Sequence, residues 1–176
     1  MHLKGLLRMS ETKMKFDIDI AERYIEEINR YRRFLFEHYK TEQIGIIEDL
    51  VYSYIPSVLS NKKVFGETLI PTWVWLETLE ETTKKVKQLK RLHKNWKKIK
   101  KQRKHFYNEL KEDISAGLPI CGNDRDKLDY YEIAVQNAYR SYQSNGYEIM
   151  RDLVDMLEEI IETLTNKLNE ETEDTD

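Results

Sequence analysis

Apolar residues recur every three or four positions through most of this chain, the spacing of one face of an α-helix. Ile20, Tyr24, Ile28, Tyr31 and Leu35 mark a first helix. Its start is predicted near Asp17 or Asp19, acids suited to capping a helix N-terminus and to its dipole. A second helix, from about Glu42, carries Ile46, Ile47, Leu50, Tyr54 and Val58. Pro56 is expected to end or kink it, because proline lacks the backbone donor and crowds the preceding turn. Asn61 to Pro71 reads as a connecting loop whose Val64, Phe65, Leu69 and Ile70 tuck against the bundle.

Pro71 and Thr72 open the longest predicted helix, which runs to about Ser115. Within it Leu89, Leu92, Trp96, Ile99, Arg103, Phe106 and Leu110 alternate in steps of three and four, a coiled-coil seam interrupted by one basic residue. Leu76, Leu79 and Val86 belong to a different phase, which predicts a stutter near Thr83. Gly117 to Asp124, GLPICGND, is the clearest break in the chain. The last helical region spans about Asp126 to Glu170. Ser144-Asn145-Gly146 is expected to split or kink it, and the tail EETEDTD, without apolar residues, to be disordered. The predicted fold is all-α: an elongated four- to five-helix bundle with one long basic, coiled-coil-like helix. The predicted organisation is a flexible N-terminal segment over 1–16, a single helical domain over 17–170 and a disordered acidic tail over 171–176.

Composition agrees with this picture. The charged fraction of 35% is high, as in long helices with solvated outer faces. No apolar run approaches the ~20 residues of a membrane span, so no membrane partner is expected. Cys121 is the only cysteine, which excludes an intrachain disulfide and points to a reducing, cytoplasmic location.

Charge changes the picture more. Residues 84–111 carry 13 Lys and Arg against one acid, Glu109, whereas residues 148–176 carry 11 acids against two basic residues. The formal net charge of −3 is a cancellation between these stretches. Lys87, Lys90, Arg91, Lys94, Lys97, Lys98, Lys100, Lys101, Arg103 and Lys104 form a strip able to follow a phosphate backbone with salt-sensitive, sequence-independent affinity. Trp96, His105 and Tyr107 interleave aromatics with it, as in single-strand binders. Asp152, Asp155, Glu158, Glu159 and Glu162, on an antiparallel C-terminal helix, would instead neutralise part of the strip within the chain. The acidic end could also mimic nucleic acid on a basic partner.

Arg33 and His38 form R-x4-H, and Arg32 to His38 forms R-x5-H. The stretch RRFLFEH resembles the short motif of the all-helical HEPN ribonucleases, in which the arginine and histidine line an RNA-cleaving cleft at a dimer interface. The resemblance implies Arg33 and His38 as catalytic candidates. It covers only these residues, and the motif stands on the first helix rather than late in the domain. Residues five apart also share a helical face poorly.

Other chemistry is sparse. His105 and Glu109 are an i, i+4 pair, but two ligands do not make a metal site, so no metal and no cofactor are expected. No glycine-rich phosphate loop, G-x-S-x-G elbow or dinucleotide fingerprint is present. Trp73 and Trp75 point to opposite sides of the helix start, so one can be core and the other an interface anchor. The alternative packs both beneath the 61–71 loop. Trp96, on the seam, is a third interface candidate, because a second copy of the chain can also satisfy that seam and give a homodimer.

The function expected from these features is non-enzymatic: a binding or regulatory protein that contacts nucleic acid, or a nucleic-acid-processing complex, through its lysine-rich helix. Its composition has the look of phage or archaeal-virus accessory and inhibitor proteins. A structural or assembly component, as in a virion or scaffold, is the alternative, followed by a HEPN-like ribonuclease.

Overall fold

The structure, a computed structural model, describes residues 16–38, 44–65 and 72–173. The expected flexible segment up to residue 15, the helix start at Glu42, the loop positions Leu69 and Ile70, and residues 174–176 lie outside the described residues. Every described element is helical, as the apolar spacing requires: α1 (Ile18–His38), α2 (Ile44–Asp49), a π turn (Leu50–Tyr54), α3 (Ile55–Leu59), α4 (Lys62–Phe65), α5 (Thr72–Ser115) and α6 (Gly122–Glu173). The chain divides into two compact units, one formed by Met1–Lys84 with Ile149–Asp176 and one by Lys85–Glu148.

The first unit begins at a side-chain cap. Asp17 Oδ1 accepts from the Ile20 N–H at 3.1 Å, so Asp17 rather than Asp19 closes the start of α1. The Asp17 N–H donates to the Lys63 carbonyl at 3.0 Å, holding the entry of α1 to α4. Ala21, Tyr24, Ile28 and Leu35 form the buried stripe of α1. Pro56 neither ends nor breaks the second helical run; the backbone widens just before it. The Ile55 N–H reaches five residues back to the Leu50 carbonyl, and the π turn gives the proline ring room that an α-turn would deny. The segment read as a loop contains the short helix α4, with Val64 and Phe65 buried as expected. Trp75 meets Phe65 edge-on, with centroids 5.9 Å apart and planes at 80°.

Helix α5 is unbroken from Thr72 to Ser115, as its pattern predicts. The expected change of phase falls not at Thr83 but at Val86, Leu89 and Leu92, where two steps of three follow one another. Trp75, Leu79, Thr82, Val86 and Leu89 are buried in steps of four and three, while Leu76 is 45% exposed. Thr82 occupies the seam because its hydroxyl donates to the Thr78 carbonyl at 2.9 Å, hiding its polarity within the helix. Leu92, Trp96, Ile99, Arg103 and Phe106 follow, half-buried, and Leu110 is buried.

The helix stops at Gly117, whose φ of +80° suits a residue without Cβ. The Gly117 N–H donates to the Ile114 carbonyl at 3.0 Å and the Leu118 N–H to the Asp113 carbonyl at 2.9 Å, the paired bonds of a Schellman cap.

Helix α6 starts at Gly122 and passes through Ser144-Asn145-Gly146 without a break. Gly146 lies buried on the packed face, so it fits the helix rather than splitting it. The helix also reaches Glu173, into the stretch expected to be a disordered tail. There Lys167 Nζ lies 3.7 Å from Glu171 Oε1, one helical turn away.

In the second unit α5 and α6 form an antiparallel hairpin. Contacts step forward along α5 and backward along α6: Lys85 with Glu148, His93 with Tyr142, Trp96 with Tyr139 and Phe106 with Tyr131. Val86, Leu89, Leu110, Val135, Ala138 and Tyr142 form its buried core.

Candidate nucleic-acid interface

The seam fixes which residues of α5 face outward. With Leu89, Trp96, Arg103 and Leu110 turned toward α6, the heptad columns Lys87, Lys94, Lys101 and Lys90, Lys97, Lys104 are exposed, as are Arg91 and Lys98. Residues seven apart lie about 10.5 Å from one another along the axis, so cationic rows repeat regularly over this face.

Arg103 and Lys100, among the candidate cations, make contacts inside the hairpin. Arg103 is half-buried; its NH1 lies 3.8 Å from Glu132 Oε2, and its guanidinium carbon is 5.9 Å from the Tyr107 ring centre. Arg103 is therefore a hairpin residue first. Lys100 is exposed, but its ammonium sits 4.3 Å above the Trp96 ring, a cation–π contact.

The expected internal neutralisation takes a different form. The residues facing the basic stretch come from 131–148, and Glu132 and Glu148 among them pair with it, the latter 2.9 Å from Lys85 Nζ. Asp152, Asp155, Glu158, Glu159 and Glu162 belong to the other unit. Within that unit Glu158 pairs with Arg32 at 3.2 Å, and Glu159 accepts from Trp75 Nε1 at 3.3 Å. The unit Lys85–Glu148 holds 15 Lys and Arg against 8 Asp and Glu, a formal +7. The remaining 14 basic and 24 acidic residues give the other unit −10.

The aromatic residues of the strip are largely committed. Trp96 stacks on Tyr142, with centroids 5.8 Å apart and planes at 15°, and also touches Tyr139 and His93. Its place is the intrachain seam. Tyr107 donates its hydroxyl to Glu132, and this hydrogen bond, followed by burial, raises its pKa. His105 pairs with Glu109 at 3.0 Å, both side chains exposed.

The other sequence candidates fall elsewhere. Trp75 is 3% exposed and Trp73 62%, so Trp75 is core and Trp73 alone keeps the character of an anchor. Arg33 lies exposed on α1 beside a cavity of about 250 Å³ that Arg32, Phe36 and Val154 also line. The His38 side chain lies outside the described residues. Among the described residues no group of three or more His, Cys, Asp or Glu could hold a metal ion, and no helix is long and apolar enough to cross a membrane. Cys121 is exposed, its thiol donating to Asp124 Oδ2 at 3.2 Å.

Sequence reading missed a cavity of about 570 Å³ in the first unit, lined by Glu27, Arg30, Tyr31, Phe34, Ile46 and Tyr54. Tyr54, in the π turn, donates to Glu27 Oε2 at 2.7 Å and lies 4.8 Å, centre to centre, from Tyr31. Burial first, then the bond to Glu27 and its charge, hold the Tyr54 hydroxyl well above the ordinary phenol range. The proline was the available signal, since a proline inside a helical run forces the turn before it to adjust.

No protein-family model, curated protein or solved structure matches the chain.

Proposed function

We propose that the protein binds nucleic acid through the outward face of α5, using lysine and arginine contacts to phosphates without base-specific readout. The observation that carries this reading is the exposed, heptad-repeated set from Lys87 to Lys104 on a unit of formal charge +7. Like charges three and four residues apart cost a helix about 0.2–0.5 kcal/mol per pair, and Lys87, Lys90, Arg91, Lys94, Lys97, Lys98 and Lys101 form such pairs in succession. A polyanion converts that repulsion into attraction, with displaced counterions adding the entropic drive. The protein then acts as a binding or regulatory module, without catalysis of its own.

The test is fluorescence anisotropy with a labelled duplex of arbitrary sequence at 50 and 200 mM salt. Binding should weaken by about 10³-fold or more over that range. Lys94→Glu combined with Lys97→Glu, Lys98→Glu and Lys101→Glu should abolish it while leaving the circular dichroism spectrum unchanged. No binding at 50 mM salt overturns the reading.

A further inference from the structure

We infer that the protein also associates with itself, the acidic outer face of α6 in one copy docking on the basic outer face of α5 in a second. The two faces match in sign and in period. Lys94, Lys98 and Lys101 are exposed and spaced by four and then three residues. Asp155, Glu159 and Glu162 are exposed and spaced by four and then three residues. Two helices laid side by side with these intervals bring an acid to each base in successive turns, since both repeat at about 10.5 Å per seven residues.

The acidic face is turned outward by its own packing. Leu153, Met156, Leu157, Ile160 and Leu164 of α6 are buried, which leaves Asp155, Glu159 and Glu162 on the opposite side. Glu159 gives one oxygen to Trp75 Nε1, so its carboxylate is held in place with a second oxygen available.

The occupant follows from charge. A formal +7 on one unit and −10 on the other make each copy a ready counterpart for another, with long-range attraction steering the encounter. Single exposed ion pairs contribute little each, so the association is weak, additive over several turns and salt-sensitive. It does not rest on nucleic-acid binding; nucleic acid on the basic face would compete with it.

The test is sedimentation velocity on nuclease-treated full-length protein over a concentration series, at 20 and 500 mM salt. The wild type should gain mass with concentration at 20 mM and remain monomeric at 500 mM. Lys94→Glu with Lys98→Glu and Lys101→Glu should weaken the association at least tenfold, and so should Asp155→Lys with Glu162→Lys. Mixing the two variants should restore a complex, because the first keeps the acidic face of α6 and the second keeps the basic face of α5. The acidic-face variant should retain duplex binding in the anisotropy assay, which separates this inference from the proposed function. Asp155→Asn with Glu162→Gln, which keeps side-chain size, should lose the association to a smaller degree. A wild type that stays monomeric at 20 mM salt, or an association untouched by either reversal, overturns the inference. A shape change independent of concentration also overturns it, since that would place the contact within one chain.

Discussion

The rings of Trp96 and Tyr142 lie nearly parallel, 15° between planes and 5.8 Å between centroids, so the central residue of the predicted seam is held by the chain's own α6. Trp96→Ala removes this stack together with the contacts to Tyr139 and His93. The expected cost is about 2–4 kcal/mol, toward the lower end for a large-to-small change because the ring is half-buried. Urea unfolding followed by circular dichroism measures it, and an unchanged midpoint would contradict the assigned seam.

Thr82 is 2% exposed at a seam position where an aliphatic residue would serve. Its hydroxyl is satisfied only by the Thr78 carbonyl, which already bonds within the helix. Thr82→Val keeps the branched shape and removes the need to bury a hydroxyl, so stability should rise by about 0.5–1 kcal/mol. A lower melting temperature would show that the hydroxyl has a further role.

Tyr54 connects stability to pH. Its pKa is raised in the folded protein, above the ordinary tyrosine value of about 10 that the unfolded chain has. The folded state therefore holds the proton more tightly than the unfolded state. The corresponding stability is complete below pH ~10 and is lost as pH rises beyond that value. Tyr54→Phe should lower stability at pH 8 by about 1 kcal/mol, through the hydrogen bond lost to Glu27. It should also flatten the alkaline fall. Urea midpoints at pH 8, 10 and 11 for both proteins give the comparison.

Salt dependence reports how many cations reach phosphate. If about six do, the logarithm of affinity for duplex DNA falls against the logarithm of salt with a slope of about −5.4. Lys98→Ala should reduce that slope by about one and weaken all sequences alike. Arg103→Ala should leave the slope nearly unchanged, because Arg103 is turned to Glu132, and should instead lower stability.

Most of the helical layout was legible in the sequence because capping and breaking chemistry is local. Asp17, Thr72, Ser115 and the Gly117 turn all fall where residue type alone places them. The phase near Thr83 was misread because the seam position is held by a threonine, and a hydroxyl satisfied by its own helix looks polar on paper. Gly146 suggested a break because a glycine lowers helix propensity, yet tertiary packing of α6 outweighs about 1 kcal/mol. The pairing of the basic helix was misread for a different reason. Opposite charge in the sequence suggested Asp152 to Glu162, but the tight turn at Gly117 sets the antiparallel register and brings 131–148 across from it. Among the site residues, the exposed lysines follow directly from the seam, whereas the inward use of Arg103 and Lys100 depends on neighbours that only the folded hairpin supplies.

The partition of charge between the units has a consequence at the bench. An isoelectric point near 5.9 suggests a protein that ignores cation exchangers at neutral pH. A resin responds to the patch it touches rather than to the molecule's sum, so the rows from Lys87 to Lys104 should be retained on a sulfonate matrix while the carboxylates of α6 are retained on a quaternary amine. One protein at one pH would then bind both media, and copurifying polyanions would be removed only by eluting it from the first.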